Sequence, residues 1–164
     1  MNLIHNWSIR DAMDSDAKSI IFVHQSAVHE TAKQSYDQKI LDEWSPIQSL
    51  KREYLMQEKL KNNTEGAIML VIELNGQIAG FGEILPSMHE LRAVYIDPKC
   101  GRMGLGAALL KELELRAVKQ GLVKLSLHSS LNAKNFYLKN SSLKAYTRAL
   151  IDLGEVLEEI GDYD

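Results

Sequence analysis

LRAVYIDPKCGRMGLGAALLKELELRAVKQG, running from Leu91 to Gly121, holds an apolar strand, a proline stop, a glycine turn and a long amphipathic helix in unbroken succession. Val94-Tyr95-Ile96 has the β-branched and aromatic side chains that suit a pleated strand, and Asp97-Pro98 ends it because proline has no amide to give a ladder. Gly104-Leu105-Gly106 then opens a helix. Its apolar positions, Leu105, Ala108, Leu109, Leu113 and Ala117, recur at helical spacing until Gly121 stops it. The first amides of a helix lack partners and carry a partial positive charge, and glycines there let an oxygen-rich ligand approach the backbone. The segment is therefore suited to an anion, and phosphates are the natural occupant.

Two nucleotide motifs fail on the same residues. A dinucleotide fold needs Gly-x-Gly-x-x-Gly directly after its strand, whereas the third glycine position here is Leu109 and Gly104 lies eight positions beyond Ile96. A P-loop needs Gly-Lys-Ser/Thr, and Gly106 is followed by Ala107-Ala108. What remains is a strand, a proline, a short basic loop with Lys99 and Arg102, and a Gly-x-Gly helix start. This resembles the pyrophosphate loop of the GNAT superfamily of acetyl-CoA-dependent N-acetyltransferases.

The resemblance extends along the chain. Lys124 to His128 alternates as a strand, and Ser129 through Tyr137 looks like the second cofactor segment of that family, an asparagine-bearing helix start leading to Phe136-Tyr137. Upstream, Ala67 to Leu74 and Gln77 to Leu85 flank Asn75-Gly76, a type I′ hairpin signal. The implied fold is α/β (α+β): one domain over residues 1–164, with a mixed, largely antiparallel twisted sheet of about six to seven strands. Helices flank that sheet, and a splayed cleft in it takes the cofactor. Two positions depart from the family pattern. Gly101 stands where a Gln or Arg contacts the phosphates, and Lys139 to Leu143 replaces the usual Gly-Phe turn, with Asn140 able to adopt a left-handed conformation there.

Composition agrees with one soluble globular domain. The 164 residues are 45% hydrophobic and 25% charged, enough for a single core, and no repeat or Pro/Gly/Ser-rich linker divides them. Met1 to Trp7 has no signal-peptide pattern and no apolar run reaches membrane-spanning length, so a cytoplasmic protein without a membrane partner is expected. A net charge of -3 argues against nucleic acid. Cys100 is a lone cysteine with no paired base in view. The five histidines never cluster with it at ligand spacing, so no metal is expected. From Ile151 to Asp164 there are six carboxylates and no Lys or Arg, either a solvated tail or a rim that attracts a cationic amine.

In the first half, Ser8 to Ala12 reads as a strand. A helix capped by Asp14 or Ser15 follows, apolar at Ala17, Ile20, Ile21, Val23, Ala27 and Val28. Ser35 to Pro46 breaks that period, and another helix runs from about Ile47 to Lys61. In the family resembled, these helices line the acceptor pocket, which makes His29, Tyr36 and Trp44 the pocket candidates.

Acetyl transfer from a thioester to an amine needs a neutral amine, a polarised carbonyl and a proton for the departing thiolate. By resemblance, Tyr137 stands at the position of the general acid, and Glu90 or, through water, Glu83 is the candidate base; His89 and His128 are chemically reasonable alternatives. The cofactor implied is acetyl-CoA. A bulge in the strand would free Val94 and Ile96, on either side of Tyr95, to pair with the pantetheine arm. Arg102, Met103, Gly104, Leu105, Gly106 and Ala107 would hold the pyrophosphate, and Asn132 and Asn135 the pantetheine amides. The expected activity is direct acetylation of a primary amine of a small molecule or peptide, by a monomer or homodimer; a GNAT-like acyl-CoA-binding or regulatory module without catalysis is the alternative.

Overall fold

The computed structural model describes residues 5–129, 133–140, 144–150 and 156–163. The chain runs β1 (Trp7–Asp11), α1 (Ala17–Thr31), α2 (Gln38–Trp44), α3 (Leu50–Asn62), β2 (Ile68–Leu74), β3 (Gln77–Leu85) and β4 (Glu90–Ile96). It continues through α4 (Leu105–Lys119), β5 (Lys124–Ser129), α5 (Lys134–Asn140), β6 (Lys144–Leu150) and β7 (Val156–Tyr163). The seven strands form one sheet in sequence order. Neighbours from β1 to β4 are antiparallel, as are β6 and β7, while β5 is parallel to both β4 and β6. Each parallel pair is joined by a helix, α4 and α5 respectively, as parallel pairing requires.

At β2 the sheet is buried on both faces, and the strand is accordingly apolar at successive positions. Leu70 and Ile72 meet Leu105, Leu109, Leu110 and Leu113 of α4. Met69 and Val71 meet Ile20 and Val23 of α1 on the other face, with Met56 and Leu60 of α3 beside them. A continuous apolar strand between two helical layers is what such burial demands. At Gly82 α4 sits so close that an added Cβ would lie 2.4 Å from Leu113 Cδ1 and 3.0 Å from the Ala93 carbonyl. The β2–β3 turn is the left-handed pair Asn75 (φ 52°) and Gly76 (φ 81°), the geometry that twists a hairpin correctly.

Sequence periodicity located α1 correctly, and all six of its expected apolar positions are buried. The start differs from expectation. Asp14–Asp16 forms a 3₁₀ turn, and it is Asp16 that organises it, accepting the Met13 amide at 2.7 Å and the Arg10 guanidinium at 2.7 and 2.9 Å. Glu73 takes the same guanidinium at 2.8 Å, tying β1, β2 and the start of α1 together. Residues 35–46, where the apolar period broke, contain α2. Asn140 stays helical at the end of α5 and donates its side-chain amide to the Phe136 carbonyl at 2.8 Å, instead of providing a left-handed turn.

α2 is held against α1 through Ser45, which is fully buried. His29 Nε2 donates to the Ser45 carbonyl at 2.7 Å, and His24 Nδ1 lies 2.9 Å from the Ser45 hydroxyl. His24 also meets the Tyr95 ring edge-on with centroids 4.7 Å apart. Burial, followed by the Arg52 and His29 charges, lowers the His24 imidazole from the ordinary 6.5 to about 4. The unfolded chain therefore takes up this proton before the folded one as pH falls. The stability that His24 contributes is complete above pH 6.5 and is lost between about 6.5 and 4, a loss on the order of 3 kcal/mol. Denaturant titrations from pH 7 to 4 should show this decline, and His24→Gln should flatten most of it. Equal declines in both proteins would remove His24 as the cause.

Candidate active site

The site begins with a fault in the sheet. Between Glu83 and Ile84 the β3 register jumps from Ala93 to Leu91, leaving Arg92 as an extra residue in β4. The Arg92 guanidinium gathers Glu65 at 3.2 Å, Glu90 at 3.5 Å and Glu83 at 3.9 Å. On its other edge β4 pairs with β5 only at Glu90 with Ser126 and Leu91 with Leu127. Beyond Leu91, among the described residues, no strand lies beside that edge. The Asp97 amide donates to the Ala79 carbonyl at 2.7 Å, so by the alternation of an antiparallel ladder the backbones of Ala93 and Tyr95 face β3. Those of Val94 and Ile96 face the open side.

A cleft of about 220 Å³ occupies the gap. One wall is Val94 and Ile96 with Gly106, Ala133, Phe136 and Tyr137; the other is Ala27, Val28 and Thr31 of α1, Ala32 just after it and Trp44 of α2, and Tyr95 also lines the cleft. Gly106 has little space around it: an added Cβ would sit 3.2 Å from Phe136 and 3.5 Å from Ile96.

The loop leading into α4 is strained in a specific way. Arg102 adopts φ 61° and Gly104 φ 74°, a left-handed conformation that is uncommon for a non-glycine residue and costs of order 1 kcal/mol or more at Arg102. The two glycines differ in role. Gly104 satisfies the backbone at the N-cap and its missing Cβ faces open space, whereas Gly106 keeps the cleft floor clear. Leu105 is 2% exposed and offers the site its main chain only, while Met103 is half-buried against the same core. Arg102 and Asn135 are exposed; Asn132 lies outside the described residues.

Tyr137 is buried with its ring edge-on to Phe136, centroids 5.1 Å apart. Burial, and then the neighbouring Tyr95, pushes the Tyr137 phenol well above its ordinary value. Tyr95 is pushed up to about 12 by burial, partly offset by a hydrogen bond from the Trp44 indole. Both phenols remain protonated at working pH. Cys100 is raised too, by burial and the Asp97 charge, which leaves a plain thiol.

The carboxylates lie elsewhere. Glu83 is buried against Lys59, whose Nζ is 2.5 Å away, and Glu90 is paired with Arg92 at the base of the splay; neither lines the cleft. Of the pocket candidates Trp44 reaches it. Tyr36 supports Trp44 edge-on at 5.7 Å, and His29 is committed to Ser45. Ala27, Val28, Thr31 and Ala32 fall within the stretch expected to line the acceptor pocket, but nothing in the sequence singles them out, or Ala133, because small residues on a core helix look alike whether or not they border a cleft. Among the described residues no group of three His, Cys, Asp or Glu side chains is placed to hold a metal ion, and no helix is long and apolar enough to cross a membrane.

Comparison with known proteins adds the family. Residues 18–140 match the sequence family described as an acetyltransferase (GNAT) domain. No curated protein matches the chain. Among solved structures, a GCN5-related N-acetyltransferase from Rhodopseudomonas palustris superposes with a TM-score of 0.75 at 20% identity, over 96% of this chain and 94% of that one. The PaiA N-acetyltransferase of Thermoplasma acidophilum, solved with coenzyme A, gives 0.71 at 23% identity over 83% and 89%. A GCN5-related N-acetyltransferase from Ralstonia eutropha JMP134 gives 0.62 at 16% identity over 82% and 90%. Likeness at such identities is one of fold; the match over residues 18–140 carries membership, and the chain belongs to the GNAT acetyltransferase family.

Proposed function

We propose that this protein transfers an acetyl group from acetyl-CoA directly to a primary amine of a small molecule or peptide. The observation that carries the reading is the cleft in which the open edge of β4, the glycine-floored start of α4 and Tyr137 meet. Bound acetyl-CoA supplies an acetyl group activated as a thioester, with a thiol as leaving group.

The residues present fit that group. Val94 and Ile96 offer outward-facing main-chain groups to an extended amide-bearing arm, as a sheet edge accepts an added strand. The amides from Met103 to Ala107, at the positive end of a fifteen-residue helix, suit a pyrophosphate, and Arg102 adds a cation to replace the one missing at Gly101. Asn135, with Asn132, is the proposed partner of the pantetheine amides.

Tyr137 holds its proton at the phenol oxygen throughout the working range. An acid weaker than an ordinary thiol, whose value is about 8.5, acts by donating a hydrogen bond to the developing thiolate, without completing the transfer. The apolar cleft disfavours an ammonium and so favours the neutral amine that attacks. Glu90 and Glu83 act as bases only through intervening water, Glu90 being the more exposed of the two. Their distance from the cleft is the one observation that favours acyl-CoA binding without transfer. Thiol release in a panel of amines decides between the readings.

Tyr137→Phe should retain CoA affinity within a few fold and lower turnover by at least about tenfold. Near wild-type turnover across the pH range would remove the phenol from the chemistry. Gly106→Val should fill the floor between Phe136 and Ile96 and weaken CoA binding by about tenfold or more, with the thermal midpoint lowered by the crowding of Phe136 while the domain still folds. Calorimetry giving unchanged affinity in the folded variant would move the cofactor site away from Gly106.

A further inference from the structure

Resting on the acetyl-transfer reading above, we infer that the acceptor is an aromatic monoamine, its ring seated on the wall formed by α1, Trp44 and Tyr95. That wall faces the cofactor edge across the cleft, and its chemistry differs from what a polycation or a sugar would need. α1 presents Ala27, Val28 and Thr31, and Ala32 follows at its end. The Thr31 hydroxyl donates back to the Ala27 carbonyl. The remaining polar atoms of the wall are the Trp44 indole N–H and the Tyr95 phenol, both carried on aromatic rings. Among the described residues that line the cleft, none carries a charge.

An acceptor with several ammonium groups would lose hydration here without meeting a carboxylate among the described lining residues, a penalty paid for each group. An aromatic ring has the opposite balance. It buries apolar surface against α1 and meets Trp44 and Tyr95 in the offset or edge-on contacts that aromatic pairs favour. Tyr36 fixes the Trp44 ring from behind, and Ser45, immediately after Trp44, is locked by His24 and His29. The aromatic surface is therefore held in place before any ligand arrives. Since the roughly 220 Å³ of the cleft is shared with the cofactor arm, the body of the acceptor is small, a single ring system on a short chain.

The chemistry balances without a further reactant. The neutral nitrogen forms the new C–N bond as the acyl C–S bond breaks; sulfur keeps the bonding pair, and the proton lost from nitrogen passes through water, leaving an amide and free thiol.

The test compares kcat/KM for 2-phenylethylamine and tryptamine with that for spermidine, lysine and glucosamine, following thiol release with acetyl-CoA. The aromatic amines should be favoured at least tenfold. Trp44→Ala should raise their KM severalfold while leaving CoA affinity within a few fold, and Trp44→Phe, which keeps a ring, should restore most of the preference. Transfer favouring spermidine, lysine or glucosamine would overturn the aromatic assignment while leaving acetyl transfer standing. CoA binding with no thiol release from any amine would instead overturn the transfer reading on which it rests.

Discussion

The extra residue at Arg92 is the constraint from which the rest of the site follows. By inserting one position into β4 it changes which backbone groups face β3 and which face away, and it does so just where β4 parts from β5. A sheet edge opened inside a domain is ordinarily a liability, because unpaired amides and carbonyls cost free energy unless something satisfies them. Here the gap is walled by α1 on one side and by α4 and α5 on the other, which turns an edge into a cleft. At the bulge Arg92 is paired with Glu65 and Glu90 and approaches Glu83, which Lys59 also holds, and neither Glu83 nor Glu90 lines the cleft.

The two helical layers divide the labour. α4 rests on the sheet through the gap left by Gly82 and directs its N-terminus at the end of β4, so the first-turn amides and the open edge adjoin. On the opposite face, α1 and α2 supply the apolar and aromatic wall, joined at buried Ser45. Burial then sets the proton chemistry. It keeps Tyr95 and Tyr137 protonated and His24 neutral, so the cleft contains hydrogen-bond donors and apolar surface in place of a strong base. A desolvated amine is what such an environment can activate.

Much of this was legible in the residues. Asn75-Gly76 announced the hairpin, Gly104-Leu105-Gly106 the helix start, and the α1 period marked its buried positions one by one, because local backbone and side-chain preferences act there without long-range help. Other features were hidden for physical reasons. α2 is seven residues with Leu41 as its only fully buried side chain, too short for periodicity to register. Glu83 and Glu90 were plausible bases by position, but whether a carboxylate is free depends on Lys59 and Arg92, which only the folded chain brings near. Gly104 and Gly106 read alike in sequence; the structure separates them, one by its positive φ and the other by the approach of Phe136. Leu110, fully buried, escaped the helical pattern because α4 is covered over a wider arc than a single stripe.

The central claim is that the freed backbone of Val94 and Ile96, together with the first turn of α4, is the cofactor surface. Amide hydrogen exchange with and without CoA reads those groups directly. The account predicts slowed exchange on binding, concentrated at Val94 and Ile96 within 93–97 and at residues 102–107, with the β1 and β2 amides unchanged. Binding that leaves the exchange of 93–97 unaltered would contradict it, and would place the cofactor away from the open edge of β4.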